Sequence, residues 1–312
     1  MSNLDPSVYF FVFGLLAGLA RAELRLPTAI YEFLSALLLL SIGLKGGVEL
    51  AREPAPGLAL DVLVIIGLGI GLTLIAFGIL RYVGRLPRVD AASISAHYGS
   101  VSVATFAVGI AYLTRANIPY EPTLSLFLVI LEVPAILVGI LLAKSRSSRT
   151  SWPHLLREVF LGRGILLLLG GLVIGWLSGP DAIKPIAPLF FDLFKGILAM
   201  FLLEMGLIAA SQLGGFLRYG LFLAAFAVVI PIAFGCIGAL VGMALDLSLG
   251  GAVLLAILTA SASYIAAPAA MRTAVPQANP AMSLTAVLAI TFPFNVIFGI
   301  PLYHRLVESL YG

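Results

Sequence analysis

Ten apolar stretches separated by short polar turns run the length of this chain, and that repetition limits its fold more than any other feature. A hydrocarbon core of about 30 Å takes roughly 20 mostly apolar residues per helix, and a chain inside it must satisfy its backbone polar groups internally. The expected fold class is an all-α membrane protein of ten transmembrane helices, at approximately 8–22, 31–48, 62–82, 91–113, 124–143, 159–177, 186–213, 221–245, 250–270 and 282–302. Charged residues are only 11% of the chain, against roughly 25% in a soluble domain, so a soluble fold is excluded. The single cysteine, Cys236, cannot form a disulfide framework within one chain. The first positive residue, Arg21, follows the first apolar run, which therefore reads as a retained span rather than a cleaved signal. Nothing points to nucleic acid. The phosphate-binding loop, the HExxH pair and the nucleophile elbow of enzymes do not occur, so the expectation is a non-enzyme whose transport runs on a gradient.

A polar, basic stretch at 144–157 (KSRSSRTSWPHLLR) divides five spans from five, giving a first repeat at 1–143, a linker, and a second repeat at 158–312. The halves echo each other in order and offset. Ser41-Ile-Gly-Leu in the second span matches Glu204-Met-Gly-Leu in the seventh, and Ser100-x-Ser102 in the fourth matches Ser261-x-Ser263 in the ninth. An odd number of spans per repeat makes the second half enter from the opposite side, as in the inverted repeats of secondary transporters. Arg81, Arg85, Arg88, Lys144, Arg146, Arg149 and Arg157 fall on the linker side, with Arg21, Arg25, Arg163, Arg218 and Arg272, so the positive-inside rule makes the linker cytoplasmic and both termini external.

The paired stretches at 97–106 (HYGSVSVATF) and 261–272 (SASYIAAPAAMR) interrupt their spans at matching places. Irregular polar backbone is tolerated in hydrocarbon only where protein buries it or it lines a cavity, and interrupted spans in corresponding positions point to a transporter's substrate site. Helices that begin inside the membrane aim free N–H groups and a positive dipole end into the gap, which suits an anion. The expected substrate-binding residues are Tyr98, Gly99, Ser100, Val101, Ser102, Ser261, Ala262, Ser263 and Tyr264, with Gly99 permitting close backbone approach and Pro268 breaking the ninth helix. The competing account is structural, with the serines bonded back into their own helices or joining neighbouring ones. Intramembrane ionisable residues are functional candidates by default, and Glu132 beside Pro134 is the clearest. Its counterpart in the tenth span is Thr291-Phe-Pro-Phe-Asn295. Sodium wants several oxygen ligands, so the expected ion-binding residues are Thr105, Glu132, Thr291 and Asn295, with Ser102 and Ser263 as further sodium ligands; the alternative is a structural Glu132. Glu204 reads as a span-end or subunit-contact residue, His97 as a proton carrier or a hydrogen-bonded structural group, and Arg272 as a cytoplasmic anchor or an anion attractor.

The motifs at 97–106 and 261–272, with Ala278-Asn-Pro280 and Phe292-Pro-Phe-Asn295, resemble the bacterial sodium-dependent bicarbonate transporter (SBT) family over nearly the whole chain from about Leu34. The resemblance implies two inverted five-span repeats, a gate domain (spans 1, 2, 6 and 7) and a core domain (spans 3 to 5 and 8 to 10), a homotrimer, and elevator-like movement. It also implies an anion held between the broken fourth and ninth spans, at Gly99 to Ser102 and Ser261 to Tyr264, with sodium close by. Where the cyanobacterial members carry an acidic residue this chain has Tyr264, so a sodium ligand is either missing or supplied by Glu132. The central loop is also much shorter than theirs, which weakens the implied regulation by a PII-like protein. The expected function is sodium-coupled import of a small monovalent anion, foremost bicarbonate, across a bacterial plasma membrane. The alternatives are a proton-coupled or sodium-coupled carrier of another small anion, and a non-transporting membrane sensor of anions.

Overall fold

A computed structural model describes residues 5–24, 26–52, 57–144, 157, 160–213 and 220–312. Most of the expected linker, over 145–156, lies outside the described residues, as do Arg25 and Arg218. Helices account for the fold, and no strand occurs among the described residues. They are α1 Pro6–Leu19, α2 Thr28–Arg52, α3 Leu58–Gly78, α4 Arg88–Gly99, α5 Val103–Ala116, α6 Leu124–Ala143, α7 Arg163–Ile183, α8 Phe194–Leu213, α9 Gly220–Ala244, α10 Leu249–Ala260, α11 Ala266–Ala274 and α12 Pro280–Tyr311. Counting α4 with α5 as one span, 8 of these are long and apolar enough to cross a membrane; α1 and α10 are apolar but shorter.

Three boundaries differ from expectation, each for a local reason. Just past the expected end of the sixth span the helix breaks at Gly179 (φ 67°, ψ −179°), before Pro180, and a separate short turn carries the chain on to Ile183. Pro188 opens a separate wide turn, Pro188–Asp192, so α8 begins only at Phe194. α12 continues past the polar His304, Arg305 and Glu308 because its last turns keep one apolar face, with Tyr303 and Val307 fully buried.

Small residues set how the helices associate. A Cβ on Gly14 of α1 would lie 2.0 Å from the Leu203 carbonyl oxygen of α8, and one on Gly206 of α8 would lie 2.2 Å from that of Phe11. α2 and α7 meet in the same way, Gly47 against the Leu172 carbonyl oxygen (2.0 Å) and Gly175 against that of Leu44 (2.3 Å). In hydrocarbon, where apolar surface alone gives helices little reason to associate, such backbone approach supplies the packing. The remaining helices surround α4 and α10, and two acidic caps tie their outer ends. Glu121, before α6, accepts from the Ser248 N–H and hydroxyl at the start of α10. Asp90, in the first turn of α4, accepts from the Asn279 N–H (2.8 Å) at the start of α12. The two groups of helices touch through flat contacts, such as the edge-on ring pair of Phe11 and Phe292, 5.5 Å apart.

Candidate functional site

The fourth span breaks because Ser100 leaves the helix in an extended conformation (φ −87°, ψ −179°). Ser102 then caps α5 by accepting the Thr105 N–H at 3.1 Å. The ninth span repeats the device: Ser261 is extended (φ −84°, ψ 170°), and Ser263 Oγ accepts the Ala267 N–H at 3.2 Å in the first turn of α11. α4 and α10 are each 12 residues long. At 1.5 Å per residue that is about 18 Å, so each carries its break to near the middle of a bilayer core.

The breaks lie directly against each other. The Ser263 N–H donates to the His97 carbonyl (2.8 Å), His97 Nδ1 donates to the Ser263 carbonyl (2.6 Å), and the Ser102 N–H donates to Ser261 Oγ (2.8 Å). A carbonyl can only accept, so the His97 proton sits on Nδ1 and the ring crosslinks the two breaks, which favours its structural role at that nitrogen. Nothing in the sequence pairs these residues, whose partners lie more than a hundred positions away; the matching offsets of the two motifs are the one signal that could have found them.

Counting protons separates the hydroxyls. Ser261 Oγ donates to the Leu258 carbonyl at 2.7 Å and Thr105 Oγ1 donates to Ser102 Oγ at 2.9 Å, so both donors are spent inside the protein. Ser102 and Ser263, by contrast, only accept, which leaves each O–H proton uncommitted. Ser100 Oγ is buried with no partner, and so is Tyr264 Oη, which is directed toward Ser102 without a hydrogen bond of good geometry. The N–H groups of Val101 and Ala262, at the centres of the breaks, make no hydrogen bond among the described residues. Buried donors left unused are costly unless something accepts from them. Four hydroxyl protons and two backbone amides therefore make the breaks rich in buried donors, the chemistry an oxyanion accepts.

Other expected residues lie elsewhere. A Cβ on Gly99 would fall 1.9 Å from Thr73 Oγ1, so this glycine serves the packing of α4 on α3 rather than the approach of a ligand. Tyr98 turns away from the breaks and donates to Thr291 Oγ1 (2.7 Å), which in turn donates to the Ala227 carbonyl (2.6 Å). Asn295 donates to the Ala260 carbonyl and accepts from Tyr303, both at 2.8 Å, fastening α12 to the end of α10. Glu132 is 3% exposed and has no hydrogen bond or ion pair among the described residues. It shares a face of α6 with Ser125, which packs on Gly46 of α2, and with Gly139, which packs on Ala96 of α4. No hydrogen bond joins Glu132 to Thr291 or Asn295. Glu204 is buried and accepts the Leu26 N–H (3.0 Å), capping the approach to α2. His97 and Arg272 line a cavity of about 110 Å³ on the far side of the crosslink.

Long apolar helices gathered around two facing, donor-rich breaks define a multi-pass membrane protein of the solute-transporting kind. The chain belongs to the Na+-dependent bicarbonate transporter superfamily, whose sequence profile matches residues 6–308. A search of curated proteins finds no match to it.

Proposed function

We propose that this protein is a sodium-coupled secondary transporter that imports a small monovalent oxyanion, bicarbonate foremost, through the pocket formed by the two breaks. The observation that carries this is the set of uncommitted donors on Ser100, Ser102, Ser263 and Tyr264 beside the free amides of Val101 and Ala262. Sodium would offset the anion's charge within the pocket, so that each solute binds better in the presence of the other. The oxygens at hand are the hydroxyls of the breaks and the second lone pair of carbonyls such as Ser263. Thr291 and Asn295, already hydrogen-bonded, position α12 against this pocket.

Several features support the inverted repeat. The two breaks open alike at an extended serine, α1 on α8 mirrors α7 on α2, and a threonine–glycine contact joins α3 to α4 as another joins α9 to α10, with the two residues exchanged between the helices. The closely packed α1, α2, α7 and α8 would form the gate and the remaining helices the core, which slides past it in elevator fashion. We place the protein in a bacterial plasma membrane with both termini outside, as a homotrimer whose contacts draw on exposed apolar faces; a PII-like regulator stays in the proposal only through the family.

The test is uptake of labelled bicarbonate into proteoliposomes at fixed pH, with an inward sodium gradient set against potassium. Sodium-dependent uptake is expected. Folded protein showing equal or no uptake in the two ions would overturn the symport. Buried Glu132, with no partner among the described residues, favours one second reading, a proton-coupled carrier of another small anion: uptake would then follow an imposed pH gradient without sodium and fail in Glu132→Gln.

A further inference from the structure

A cavity of about 660 Å³ opens between α2, α7 and α8 on one side and α5 and α6 on the other. None of the break residues line it. Its nearest approach on α5 is Ile110, about 12 Å beyond Ser102 at 1.5 Å per residue. The volume falls in the range of roughly 300–1,000 Å³ typical of sites for organic ligands and far exceeds what a small inorganic anion fills.

Its walls carry apolar side chains, the cations Lys45, Arg52, Lys184 and Lys195, and the carboxylates Glu49 and Asp192, the cations outnumbering the carboxylates. Ile183, Phe190 and Phe191 make one side apolar. Lys45 faces them from α2, well inside a helix long enough to span the membrane, with its ammonium 3.2 Å from Tyr120 Oη and 5.6 Å from the centre of that ring. Among the described residues Lys45 has no carboxylate partner: Glu49, one turn on, is paired with Arg52 at 2.8 Å. Lys195 lines the same cavity and has no ion pair among the described residues either. Lys45 is exposed into the cavity, so its ammonium is open to a ligand there. The mouth faces water, because the exposed Glu49–Arg52 pair stands there with Lys184, itself bonded to Asp181.

We propose that this crevice is a second ligand site, which takes from the water an organic carboxylate with an apolar body. Its carboxylate is received by Lys45, whose ammonium has two donors beyond the bond to Tyr120, and Lys195 adds to the attracting field. The apolar body rests on Ile183, Phe190 and Phe191. An occupant would touch both groups of helices at once and hold them in their present relation, so such a carboxylate is an inhibitor of flux rather than its cargo.

Saturation-transfer NMR of the full chain in nanodiscs tests this directly, with hexanoate as the probe and acetate and hexanol as controls. Binding is read without transport, so its result stands apart from that of the bicarbonate uptake assay. Hexanoate should bind, acetate and hexanol should bind at least about tenfold more weakly, Lys45→Met should lose about tenfold in affinity, and Lys45→Arg should keep it. Should Lys45→Met not fold, Lys195→Met is expected to weaken hexanoate measurably in its place. Equal binding of hexanol, or full affinity in a folded Lys45→Met or, failing that, Lys195→Met protein, would overturn the proposal.

Discussion

Ser102 and Ser263 each use one oxygen twice: the lone pairs cap a helix start and the proton is left for a ligand. Removing either hydroxyl takes a donor from a charged partner, so Ser102→Ala and Ser263→Ala should each lower uptake by about tenfold or more, while the lost cap costs about 1 kcal/mol of stability. Uptake assays beside thermal unfolding of the same samples separate the two effects. Ser261 behaves differently. Its oxygen accepts the buried Ser102 N–H, so Ser261→Ala should cost about 1–3 kcal/mol and lower the unfolding midpoint. The serines and their spacing were visible in the sequence because small polar residues inside an apolar run stand out. Which serine spends its proton was not, since that depends on partners such as Leu258 and Thr105 in the folded break. Lys45 shows in the sequence as a charge in an apolar span; its place in a cavity depends on Tyr120 and on α7, both distant in sequence.

At the level of helices, the apolar period and the breakers located most of the spans, and the fifth coincides with α6 at Leu124–Ala143. Expectation failed where a helix continued through residues that usually end one, as at His304 and Arg305 in α12, whereas Gly179 and Pro180 do break α7 close to its expected end. Pairing of helices was not legible, because a glycine reads alike whether its missing side chain faces a backbone or lipid. Gly47 touches the backbone of α7, whereas a Cβ on Gly67 of α3 would meet nothing within 4 Å. Gly47→Leu should therefore force α2 from α7 and abolish a monodisperse peak in size-exclusion chromatography, and Gly67→Leu should leave it unchanged. The acidic ties at Asp90 and Glu121 went unread for a related reason: each accepts from an N–H more than a hundred residues away.

For the whole molecule, the proposed orientation puts both ends of the chain at the outer face. An alkaline phosphatase fused after Gly312 should accordingly be active in cells, and a cytoplasmic reporter at the same place should be silent. The hydrogen bonds that join the backbone of the two breaks carry a different consequence. With Ser263 and His97 holding each other in both directions and Ser102 held by Ser261, neither half of the pocket can move without the other. On the proposed elevator reading, a bound anion would meet the same donors in the same places whichever compartment the breaks face. A carrier built in that way would have no sense of direction of its own: import would be a property of the ion gradients imposed on it, and inverted gradients would make it an exporter.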